Sequence, residues 1–166
     1  MIMDLGKKIL NNVYNNKEVI SATLVGSYTE SKNLNKIGDI DVVVVCKKLS
    51  KQTIKKIIKN VYKINKGNVR KKIVINSSFG PLKISSENLL PVHLMIYDVN
   101  SHKDHVTSSP FTCFDWERSK LFKGISLQQI YPVRCLQLSD FNKSRRSPNE
   151  YLEDLLKNRI SIREYS

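Results

Sequence analysis

Asp39 and Asp41 stand two apart at the head of an apolar run, DIDVVVVC. On a β-strand that spacing sends both carboxylates out of the same face, close enough to share one or two divalent ions. Magnesium favours such hard oxygen donors and completes its shell with waters and substrate phosphates. Upstream, Leu24-Val25-Gly26-Ser27 ends a β-branched stretch in a glycine. There, bare backbone N–H groups and a serine hydroxyl can approach a triphosphate with no Cβ in the way.

These groups need elements to hold them. Leu5, Ile9, Leu10 and Val13 recur at helical intervals over residues 4 to 16, and Glu18 to Gly26 then reads as a first strand. The unbroken apolar half of Asp39 to Cys46 predicts a strand buried on both faces, in the middle of a sheet. Ser50 is placed to cap a helix with Ile54, Ile57, Ile58 and Val61 on one face and Lys51, Lys55, Lys56, Lys59 and Lys63 largely on the others. After a break at Lys66-Gly67-Asn68, Lys72 to Asn76 and Leu82 to Ser85 read as short strands around a Phe79-Gly80-Pro81 turn, and Pro91 to Asp98 as the next strand. Residues 100 to 110 are polar and Ser-rich, which predicts a surface loop. Phe111, Phe114, Trp116 and Phe122 then supply aromatics to cover an edge of the core, and Ser147-Pro148-Asn149-Glu150 has capping-box spacing for a last helix near Tyr151 to Ile160. The expectation is one domain over residues 1–166, with a core at about 4–98 and a loop and helical extension at about 99–166.

A strand leading to Gly26-Ser27, then eleven residues, then Asp39-Ile40-Asp41 opening an apolar strand, resembles the pattern of the DNA polymerase beta-like nucleotidyltransferase superfamily. The resemblance covers about Ile20 to Cys46 closely and the order of elements to Asp98 more loosely. It implies an α/β (α+β) fold, a mixed β-sheet flanked by helices. It also implies that Gly26 and Ser27 hold the phosphates of a nucleoside triphosphate such as ATP, and that Asp39 and Asp41 bind Mg2+, usually as a pair of ions. The family chemistry is transfer of a nucleoside monophosphate to an acceptor hydroxyl or phosphate, with release of pyrophosphate.

The family usually adds a third carboxylate from a neighbouring strand. Two residues compete for that role. Asp98 has the chemistry, as a metal-binding and catalytic carboxylate at the end of its strand, although strand ends often carry an acid for solubility alone. His93 has the position, since Val92-His93-Leu94 matches an acid between two apolar residues, with imidazole in place of the carboxylate. Histidine is a poorer magnesium ligand, so this placement would mean compensation by Asp98 or an altered or lost active site. A satisfied core histidine is the third reading.

Composition narrows the partners. The net charge is +13, and residues 42 to 86 hold twelve Lys or Arg with no Asp or Glu. Such a stretch attracts polyanions, so RNA, such as a tRNA end, is the expected acceptor, drawn in through the basic 47–72 segment. A protein or small-molecule acceptor, as in toxin–antitoxin components and antibiotic adenylyltransferases, is the alternative, and so is a catalytically inactive module that binds RNA or a partner protein. There is no Gly-Lys-Ser/Thr phosphate loop, which disfavours the phosphate-loop NTPases. His102 and His105 lie three apart in the polar segment but lack a second ligand pair for zinc. No apolar run reaches the ~20 residues that span a bilayer, and Cys46, Cys113 and Cys135 lack paired spacing, so a cytoplasmic protein with reduced thiols is expected.

Overall fold

The computed structural model describes residues 2–30, 38–66, 71–76 and 88–144. Helix α1 (Ile2–Tyr14) leads into β1 (Val19–Val25), the short α2 (Ser27–Glu30) and β2 (Ile40–Cys46). Then come α3 (Lys51–Tyr62) with a 3-10 turn (Lys63–Lys66), β3 (Lys72–Asn76) and β4 (Leu89–Asp98). Helices α4 (Val99–Ser108) and α5 (Pro110–Arg118), strand β5 (Phe122–Gly124) and α6 (Leu127–Ile130) follow. The expected strand at Leu82–Ser85, its Phe79-Gly80-Pro81 turn, the Gly67-Asn68 break and the helix near Tyr151–Ile160 lie outside the described residues.

Five strands form one mixed sheet in the order β3-β4-β2-β1-β5. The pairs β1–β2 and β1–β5 run antiparallel, while β2–β4 and β3–β4 run parallel. As its apolar run predicts, β2 is the central strand, and Val42, Val43, Val44 and Val45 are fully buried. Alternation divides them. Ile40, Val42, Val44 and Cys46 pack with Leu5, Ile9 and Val13 of α1 and with Ile57 and Val61 of α3. Val43 and Val45 face the other way, onto Val25, Trp116 and Leu127. Each fully buried valine contributes roughly 1.5–3 kcal/mol of apolar burial, so a register slip of one residue is strongly disfavoured.

Local signals explain most boundaries. The Ser50 hydroxyl accepts from the Thr53 N–H at 3.1 Å and caps α3 as expected. The parallel β2–β4 pair needs a crossover, and α3 supplies one. Two expectations are corrected. Residues 99–108 form a helix rather than a surface loop, because Asp98 and Ser101 close a capping box and His102, His105 and Val106 turn an inward stripe toward the core. The core also runs past residue 98, since β5 pairs with β1 as an edge strand. No helix among the described residues is long and apolar enough to cross a membrane, and the three cysteines are free thiols.

Candidate active site

The turn after β1 is built around Gly26, whose φ of 69° lies in the left-handed region that side chains with a Cβ avoid. The Thr29 N–H and hydroxyl both donate to the Gly26 carbonyl, at 3.0 and 2.7 Å, which fixes the turn and starts α2 with Ser27 exposed. Behind it, Tyr28 is buried and its hydroxyl accepts from the Gly6 N–H of α1 at 3.0 Å. A Cβ at Gly6 would lie 2.8 Å from the Tyr28 ring, so a glycine inside α1 is required by the anchoring of α2. Burial holds the Tyr28 phenol above its ordinary pKa, so it stays protonated.

Across from this turn, Asp41 pairs in register with Val25. A Cβ on Gly26 would fall 2.7 Å from Asp41 Oδ2. The bare turn and the carboxylate therefore occupy adjoining space that only glycine leaves open. Asp39, one residue before β2, shares the face of Asp41 by strand alternation and is half-buried. Burial raises its carboxyl pKa, the Asp41 charge raises it further, and His93 pulls it back. A half-buried Asp39 carboxyl raised in this way beside a second carboxylate is an environment that favours a cation.

His93 is the direct partner of Asp41 on β4, and its Nδ1 lies 3.1 Å from Asp41 Oδ1. Of the two residues weighed for the third-acid role, His93 is the one that stands beside Asp41. Asp98 does not reach the site. It pairs with Cys46, at the far end of β2, five residues along β4 from His93, or about 16 Å at ordinary strand rise. Its carboxylate accepts from the Ser101 N–H at 2.8 Å and from the Ser101 hydroxyl at 2.7 Å, and these bonds hold its pKa below the usual carboxylate value. Asp98 is a helix cap and not the expected metal ligand and catalytic partner of Asp39 and Asp41, because the parallel register of β2 and β4 sets it at the far end of the strand.

Asp39 and Asp41 offer two hard carboxylate donors of the kind a divalent cation takes, while among the described residues no group of three or more His, Cys, Asp or Glu stands together to hold a metal by protein ligands alone. Beside Asp41 the neighbouring strand presents an imidazole, a poorer magnesium ligand than a carboxylate. Sequence reasoning missed Tyr28 and Ser119 as supports of this site. The Ser119 hydroxyl donates to the Leu24 carbonyl at 2.6 Å, tying the end of α5 to the last turn of β1. No spacing in the sequence signals a contact between residues ninety-five apart.

The sheet order sets a glycine turn and a pair of aspartates side by side at one end of the central strands of an α/β domain. The nucleotidyltransferase domain family matches residues 7–120, more than half of the chain, and the chain belongs to that family. Its class of chemistry is nucleotidyl transfer, and the family generally uses a nucleoside triphosphate and a divalent metal. No curated protein and no solved structure matches the chain.

Proposed function

We propose that the protein is a magnesium-dependent nucleotidyltransferase that moves a nucleoside monophosphate from a nucleoside triphosphate to an acceptor hydroxyl, with RNA as the acceptor. The observation that carries the reading is the approach of Asp41 Oδ2 to the bare Gly26 turn, because it sets a carboxylate beside backbone fit for phosphates. In this reading Gly26 and Ser27 bind the triphosphate, and Asp39 and Asp41 hold the cation. His93 orients Asp41 through Oδ1, which leaves Oδ2 toward the turn. Bound magnesium would neutralise charge on the transferring phosphoryl group and align the attacking and leaving oxygens.

RNA is favoured by charge. Lys17, Lys56, Lys59 and Lys63, with Asn15, Asn16 and Asn60, line a cleft of about 460 Å³ between the end of α1 and α3. That cleft lies on the α1–α3 side of the sheet, opposite the face that carries Asp41. The lysines of α3 therefore do not line the site; in this reading they hold the body of a long polyanion while its end reaches the carboxylates. The test is transfer of label from each nucleoside triphosphate, with magnesium, onto total RNA. Label on RNA with the wild type and none with Asp41→Asn is expected; no transfer to RNA by the wild type would sink the acceptor assignment.

His93 favours a second reading, a binding module that keeps the phosphate site without turnover. Steeply salt-sensitive RNA binding with no pyrophosphate release from any triphosphate would select it.

A further inference from the structure

The cleft that carries Lys56, Lys59 and Lys63 does not end at Lys17. A second hollow of about 320 Å³ adjoins it, shares Asn16 and Lys17 with it, and adds Lys47 to the wall. All five lysines are exposed, and among the described residues none of them pairs with a carboxylate. The joined groove therefore carries uncompensated positive charge in both its parts, which attracts a chain of phosphates.

The second hollow differs in its floor. Tyr14, Val19, Ile20 and Ile125 line it, so apolar surface stands beside Lys17 and Lys47. Ile125 is 45% exposed and is held in place by backbone, its N–H donating to the Ile20 carbonyl at 2.9 Å. Gly124 before it has a φ of 89°, and a Cβ there would lie 2.5 Å from the Tyr14 ring, so only glycine lets the chain pass. Tyr14 packs on the α1 side of the sheet and Ile20 on the other, so the groove leads round the end of the sheet toward the face that carries Asp41. It does so at the Val19 end of β1, about 20 Å at ordinary strand rise from Val25, the partner of Asp41.

We propose that the joined groove is a seat for single-stranded RNA, with phosphates on the lysines and an unstacked base on the apolar floor beside Ile125. The proposal rests on the reading of RNA as the acceptor. A duplex keeps its base faces stacked inside and meets a protein with phosphates and hydroxyls, so it would use the lysines and leave the floor bare. A single strand offers a charged backbone and apolar base faces together. The distance from Asp41 keeps the seat independent of the carboxylates.

The test is RNA binding without triphosphate, followed by fluorescence anisotropy over a range of salt. The probe is an RNA of about twelve nucleotides, as a single strand and as a duplex with its complement. The wild type should bind the single strand more tightly. Ile125→Ser should weaken single-strand binding about tenfold, the worth of one lost base contact, and leave duplex binding unchanged. Lys56→Ala combined with Lys59→Ala should weaken binding of both forms and lower the salt slope by about 1.5. Asp41→Asn and Lys103→Ala, which removes an exposed lysine of α4, should match the wild type. Three results overturn the seat and leave the acceptor reading intact: duplex binding as tight as single-strand binding, no loss in Ile125→Ser, or a loss in Lys103→Ala or Asp41→Asn as large as in the lysine pair. No binding of either form by the wild type overturns the RNA acceptor and the seat together. Binding as expected with no transfer of label to RNA supports the seat and overturns the transferase reading alone.

Discussion

Asp41 and His93 face one another across the parallel β2–β4 pair, Nδ1 to Oδ1 at 3.1 Å, each side chain 25% exposed. An imidazole here holds Asp41 without adding negative charge beside Asp39, whose carboxyl already feels the Asp41 field. His93→Asp should reverse that economy. Three carboxylates on one face repel, so the variant should melt below the wild type in a chelator and recover when magnesium is added, because binding to the folded state alone stabilises it. Pyrophosphate release should rise as a third acid becomes available. Melting curves with and without magnesium check the first half, and identical curves would count against a metal site here.

Gly26→Ala tests the turn. The left-handed φ costs a residue with a Cβ about 1–2 kcal/mol, and the added carbon would meet Asp41 Oδ2 at 2.7 Å. Urea denaturation should show that loss, and triphosphate binding should vanish. Ser27→Ala, at an exposed position, should weaken binding with the fold's stability unchanged.

The strands were legible wherever one short run carried its own pattern. DIDVVVVC announces a central strand, and Gly26 and Asp41 announce a turn and a strand that the fold sets side by side. What the sequence hid was long-range. Choosing between His93 and Asp98 needs the β2–β4 register, which no spacing of residues fifty apart encodes. Helix α4 looks like a loop in the sequence because two of its three buried residues are histidines, which count as polar until tertiary packing buries them. The basic stretch is visible as composition, but only the fold reveals that its α3 segment packs on the face of the sheet opposite the carboxylates.

Asp98→Ala should separate stability from chemistry. Its carboxylate caps α4 through Ser101, and loss of an N-cap costs about 1 kcal/mol. Thermal melting should fall accordingly while triphosphate binding is unchanged. A loss of binding as deep as that of Asp41→Asn would restore Asp98 to the active site.

His102 predicts how stability responds to acid. The side chain is 1% exposed, lies against Tyr97 at 5.9 Å, and neither ring nitrogen has a hydrogen-bond partner among the described residues. Burial, with a smaller contribution from His105, pushes its pKa down from 6.5 to about 4. The folded ring thus refuses a proton that the unfolded chain accepts below 6.5. Between those values the unfolded state binds more protons, so stability present near neutrality is lost as pH falls toward 4. The ring alone should cost about 2 kcal/mol between about pH 7 and about pH 5. His105, lowered by its own burial, acts in the same direction. His102→Phe keeps a ring in the same apolar space and removes the titration, so its urea midpoint should fall less than that of the wild type over this interval. An equal fall in both proteins would show that His102 is not held neutral by the fold.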